Sequence, residues 1–178
     1  SVYEGTARGD FKETACEIVF NTSMTGYVEI LTDPSYAGQG VVMTYPMIGN
    51  YGISREDFES ERLQPSAFIV HELSSDPSNF RCTDTIENLL KEYNIPCISG
   101  VDTRAVVKKL RESGTMRGVL TSDIGDRERL MDVIKSFRQI DLVGSVTAKQ
   151  TKVYGEENTG AEIAPVSYTP LTLPTNRE

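Results

Sequence analysis

The chain is poor in the residues on which common catalytic chemistries depend. In 178 residues it holds one histidine, His71, and three cysteines, Cys16, Cys82 and Cys97. A Cys/His zinc site needs more and better-spaced ligands than these. Three scattered cysteines, with no CxxC pair, form neither a disulfide framework nor a redox motif, and they read as small buried apolar residues in a reducing compartment. The cytoplasm is the location this predicts. No GxxxxGK[ST] or GxGxxG stretch occurs, and Gly38-Gln-Gly40 leads into strand-like Val-Val-Met instead of a helix. A tight turn, not a phosphate cradle, is expected there. Basic residues are also short, 18 against 26 acidic, for a net charge of -8. That balance disfavours nonspecific binding to nucleic acid or anionic membranes. No apolar run approaches the roughly 18 residues of a membrane helix, and Ser1-Val2-Tyr3-Glu4-Gly5 does not read as a signal peptide.

What remains is an ordinary globular composition, 38% hydrophobic and 25% charged. Short runs rich in β-branched residues predict strands at 15–20, 41–44, 67–71 and 117–121, with Cys97 on a further one. Apolar residues at i, i+3, i+4, i+7 predict helices over 84–93, 103–113 and 127–138. Asp84 is the expected N-cap of the first, with Asn94 and Pro96 as its stop. Asp102 can cap the second and Gly114 end it. A strand-rich first half and a helix-rich second half argue an α+β domain, not a doubly wound βαβ fold. The domain is expected over 1–150. Residues 151–178 read as a flexible extension: Gly155–Gly160 is linker-like, and 165–178 reads as an artificial or misread end.

Candidate sites are few. Cys82, after Asn-Phe-Arg and before a helix cap, has the best electrostatic case for a reactive thiol, but none of the three cysteines has a glycine elbow. His71 ends an apolar run beside Glu72, and a strand-end histidine paired with a carboxylate is expected. The acidic run Glu56–Glu61 lacks calcium-loop spacing and reads as a solvated helical face. Asp123, Asp126 and Glu128 suit helix capping and the first turn. Residues 20–27 read as a hydroxyl-capped turn leading into Tyr27–Leu31. The turn-rich stretch 20–51 carries too many glycines and prolines for a long helix. In Thr32-Asp33-Pro34-Ser35-Tyr36, Pro34 suits the first central turn position, and Asp33 can bond the backbone two residues on.

Seven segments then carry a family resemblance. They are Val-Phe-Asn-Thr-Ser-Met-Thr-Gly-Tyr (19–27), Glu-Ile-Leu-Thr-Asp-Pro-Ser-Tyr (29–36), Thr-Tyr-Pro (44–46), Ile-Gly-Asn-Tyr-Gly (48–52), Ser-Asn-Phe-Arg (78–81), Asp-Thr-Arg (102–104) and Lys-Leu-Arg-Glu-Ser-Gly (109–114). In order and spacing, from about Val2 to Tyr154, the chain resembles the N-terminal domain of the small subunit of glutamine-hydrolysing carbamoyl phosphate synthase. The resemblance implies a layered β/β/α domain of the swivelling type. It implies a parent enzyme that makes carbamoyl phosphate from glutamine, bicarbonate and ATP for pyrimidine and arginine synthesis. It also implies a docking role beside a class I amidotransferase domain and a large synthetase subunit or fused region, where ATP and metal are expected. The family's first strand and its glutaminase domain have no counterpart here, so the chain is expected to be a noncatalytic piece of a longer protein. By the same resemblance, Ser35 contacts glutamine at the domain junction, and Arg104 belongs to the subunit interface. The competing expectation is a free-standing carrier or small-molecule-binding domain with His71 as its reactive group.

Overall fold

Successive residues of β2 (Thr14–Asn21) and β3 (Gln39–Met43) point to opposite faces of one sheet. Val41 and Met43 point to one face, and Gly40 and Val42 to the other. Phe68 and Val70 against Ala67 and Ile69 repeat the division around β5 (Ala67–Ile69). The computed structural model describes residues 1–9, 11–138 and 141–148. The chain divides into two compact units, Ser1–Gln139 and Ile140–Glu178.

The first unit is an α+β fold, as expected. Its main sheet has six strands in the order β1-β7-β5-β3-β2-β8, with β1 at Thr6–Arg8, β7 at Cys97–Ser99 and β8 at Met116–Leu120. The four central strands run parallel, and β1 and β8 close the edges antiparallel. A second, two-stranded sheet pairs β4 (Met47–Ile48) with β6 (Glu72–Leu73). Two short helices, α1 (Tyr27–Thr32) and α2 (Ile86–Glu92), pack with Ile48 and Leu73 of the small sheet on one face of the main sheet. The opposite face is covered by Val107 of α3 (Thr103–Ser113). Helix α4 (Arg127–Ser136) follows β8 and is joined to the start of β2 by Arg129, which grips Glu13 at 2.7 Å. That guanidinium, helped by the Thr121 hydroxyl, holds the Glu13 carboxyl down to about 2.

Most expected elements are present. Asp102 caps α3 by accepting from Ala105 N at 2.9 Å, and Gly114 ends it at φ +77°. Asp126 caps α4 in the same way through Arg129 N. Several local readings change. The cap of α2 is Thr85, whose hydroxyl accepts from Asn88 N; Asp84 instead binds Thr85 N and the Asn88 amide, both at 2.7 Å. The acidic run is no helical face: only Arg55–Asp57 turns, as a 3-10 helix, and Glu56 and Asp57 both hold Arg81. Gly38 makes the expected turn at φ +74°, but Gly40 lies inside β3. A Cβ there would stand 2.6 Å from Cys16 Sγ and 2.9 Å from Ile18 Cδ1, so only glycine lets β2 and β3 approach.

The largest difference is at Tyr27–Thr32: the sequence reading has a turn over 20–27 leading into this segment and no helix there, and the structure has helix α1. Its cap is Gly26, at φ +78°, with no side-chain cap of its own. The cap comes instead from Tyr51, whose hydroxyl accepts from Gly26 N at 2.6 Å and Tyr27 N at 3.2 Å. The Tyr27 and Tyr51 rings stack at 4.2 Å, and the buried Tyr27 hydroxyl donates to Gly52 O. At the far end Thr32 donates back to Val28 O and accepts from Glu59 N, sealing the helix against the following loop.

In the second unit the described residues form α5 (Leu142–Val146), with Asp141 accepting from Gly144 N. The expected extension, 151–178, lies outside the described residues.

Candidate functional site

An open groove of about 740 Å³ lies at the carboxyl ends of the parallel strands. Thr22 follows β2, Thr44 and Pro46 follow β3, and His71 follows β5; α3 supplies the other wall. From α3 the groove receives Arg104, Lys108 and Arg111, four and three residues apart and therefore on one stripe. None of the three makes an ion pair among the described residues. Arg111 sits 5.6 Å over the Phe20 ring, which fixes its stem. Asp102 and Glu112 also line the groove, but the Asp102 carboxylate is engaged as the α3 cap.

The structure places the expected site residues in different regions. Arg104 is exposed in the first turn of α3, at the groove. Ser35 is exposed in the 3-10 turn Pro34–Tyr36 and does not line the groove. Its amide donates to Asp33 Oδ1 at 2.8 Å, the Asx turn expected from the sequence. Its hydroxyl makes no hydrogen bond with the described residues, so the side chain is presented outward on a rigid turn. His71 is not carboxylate-paired. Its exposed ring approaches Val101 O through Nδ1 at 3.0 Å.

The cysteines divide. Cys16 and Cys97 are fully buried, and desolvation pushes both thiols up to about 12, which suits inert core residues. Cys82 is not buried as expected; it is half-exposed, with Sγ donating to Asp84 O at 3.3 Å. Neither His71 nor any other described group stands as a base beside it. Among the described residues no cluster of three or more His, Cys, Asp or Glu could hold a metal ion. No helix among them is long and apolar enough to cross a membrane.

A feature missed from the sequence is Phe80, whose side chain is 97% exposed. It stands on a pinned loop. Cys82 N and Arg81 N bond Asn79, Ser78 N bonds Asn50 O, and Arg81 is tied to Asp57 at 2.8 Å and Glu56 at 3.1 Å. A phenylalanine one residue before a polar cluster carries no periodic signal, so only its place in a matched motif could have drawn notice.

The family described as "Carbamoyl-phosphate synthase small chain, CPSase domain" matches residues 1–120. The carbamoyl phosphate synthase small chain of Clostridium perfringens is 45% identical over 168 residues, covering 94% of this chain and 47% of that protein. The small chain of Archaeoglobus fulgidus is 49% identical over 154 residues, covering 84% and 42%. That of Listeria monocytogenes is 42% identical over 165 residues, covering 92% and 45%. The chain therefore spans under half the length of the curated relatives it matches. It belongs to the carbamoyl phosphate synthase small-chain family, by way of that family's CPSase domain.

Proposed function

We propose that this chain is the docking domain of the small subunit of a glutamine-hydrolysing carbamoyl phosphate synthase. It joins an amidotransferase domain of its own protein to a large synthetase subunit, or a fused synthetase region. The parent enzyme makes carbamoyl phosphate from glutamine, bicarbonate and ATP, serving pyrimidine and arginine synthesis in the cytoplasm. ATP and metal belong to the synthetase part. The domain itself carries no catalytic group.

The observation that carries this reading is Phe80. A phenylalanine 97% exposed on a loop fixed by an Arg81–Asp57–Glu56 cluster is placed to anchor a partner. Arg104 supports it: a cation in the first helical turn gains nothing from the α3 dipole, and it lacks an ion-pair partner among the described residues. A partner surface with an apolar pocket for Phe80 and a carboxylate for Arg104 supplies what each lacks. Ser35, outward on its Asx turn, suits the glutamine contact at the junction with the amidotransferase domain.

The test is co-purification of full-length small subunit with its large subunit. Phe80→Asp and Arg104→Glu should each weaken assembly by about tenfold or more while leaving the circular dichroism unchanged. Normal affinity in both folded variants would remove the docking reading. Purified chain alone should release no glutamate from glutamine above the buffer blank; turnover lost in Cys82→Ala would show a nucleophile where none is proposed.

A further inference from the structure

We infer that the groove between α3 and the strand ends is a binding site for a small free oxyanion of charge -2 or more, a phosphorylated or polycarboxylated compound. Its volume, about 740 Å³, falls within the roughly 300–1,000 Å³ of small-molecule sites. It opens at the carboxyl ends of β2, β3 and β5.

The charge pattern selects the ligand. Arg104, Lys108 and Arg111 form a like-charged stripe on a protein of net charge -8. Like charges at i, i+4 and i, i+3 repel on a helix. A bound anion reverses that repulsion. Two guanidinium forks and an ammonium suit oxyanions, which accept several hydrogen bonds at once.

A second observation is independent of charge. Thr103 is only 4% exposed, lines the groove, and its hydroxyl has no hydrogen-bond partner among the described residues. Among the described residues no fully buried side-chain N or O is left without a partner, so this hydroxyl reaches the open groove, where it can bond a ligand. Thr22 and Thr44 add two further hydroxyls on the opposite wall. The opposing charges are accounted for. Asp102 is engaged with Ala105 N, and Glu112 stands at the C-terminal end of α3, leaving the stripe with a net positive balance.

This site does not rest on the docking reading, although Arg104 serves both. Lys108 and Arg111 lie one and two turns further along α3. The experiment is therefore made on the 178-residue chain alone, by calorimetric titration at low ionic strength with pyrophosphate and, separately, citrate; acetate is the monoanion control. The expected result is saturable 1:1 binding of at least one polyanion with Kd below about 1 mM. Acetate should bind at least about tenfold more weakly, and affinity should fall with added salt. Pyrophosphate without citrate would assign a phosphate ligand, and the reverse a polycarboxylate. Lys108→Gln, Arg111→Lys and Thr103→Val should each weaken binding about three- to tenfold, with the circular dichroism unchanged. Lys91→Gln, on α2, should leave it unaltered. Absence of saturable binding by both polyanions would overturn the site. So would binding that Lys108→Gln leaves intact in a folded chain, or that Lys91→Gln weakens equally.

Discussion

Replacing Tyr51 by phenylalanine removes a single oxygen, yet it should cost the domain a sizeable fraction of its stability. That oxygen accepts from Gly26 N at 2.6 Å and Tyr27 N at 3.2 Å, the first amides of α1. These are among the N–H groups that every helix start leaves without an internal partner. Gly26 has no side chain to satisfy them, and α1 is only six residues long, too short to hold itself. Losing an ordinary N-cap costs about 0.5–2 kcal/mol, and leaving a buried donor unpaired about 1–3. Two amides at a half-buried site place the expected loss near 2 kcal/mol. The stacking at 4.2 Å survives in phenylalanine, and so does the bond from Tyr51 N to the Tyr27 hydroxyl, so the hydroxyl is isolated cleanly. For a chain of this size 1 kcal/mol moves Tm by about 2–4 °C, so the fall should be about 4–8 °C. Urea unfolding should give the same loss through the midpoint at unchanged slope. A Tyr51→Phe loss under about 0.5 kcal/mol would refute the claim that this hydroxyl caps α1.

Other consequences follow from the same geometry. Gly40→Ala would drive its Cβ to 2.6 Å from Cys16 Sγ, costing about 1–3 kcal/mol, and Cys16→Ala added to it should restore part of the loss. Glu13, ordinarily at 4.5 but held at about 2 by Arg129, contributes stability that is complete above pH 4.5 and is lost as pH falls towards 2. Glu13→Gln should therefore flatten the acid limb of a pH–stability curve over that window, and an unchanged limb would count against the pair. In the full enzyme Ser35→Ala should raise the glutamine KM about tenfold, the worth of one hydrogen bond to a charged group, while ammonia-dependent synthesis stays nearly constant. Equal losses with both nitrogen donors would point to misfolding or poor docking, and an unchanged glutamine KM would rule out the contact.

The sequence made some of this visible and hid the rest for physical reasons. Helix α3 was legible to the residue because Asp102, the Val106–Val107–Leu110 stripe and Gly114 all act locally. Helix α1 was not, because its cap lies about 25 residues away in Tyr51 and its six residues are too few for a period. Strands β2, β3, β5, β7 and β8 were found; β1, β4 and β6, only two or three residues long, were not, and neither was the parallel pairing. Val41-Val42-Met43 and Phe68-Ile69-Val70 are buried on both faces, and such runs carry no alternation to give direction. The groove was invisible because its walls come from β2, β3, β5 and α3, brought together only by the fold. His71 was expected beside a carboxylate. It bonds Val101 O instead, since β5 and the chain leaving β7 run side by side there.

The docking role is tested most directly by binding of the isolated chain to the purified large synthetase subunit. Docking through this domain predicts a saturable complex, displaced by full-length small subunit and weakened about tenfold or more by Phe80→Asp. A folded chain that neither binds the large subunit nor competes with the full-length small subunit for it would contradict the account.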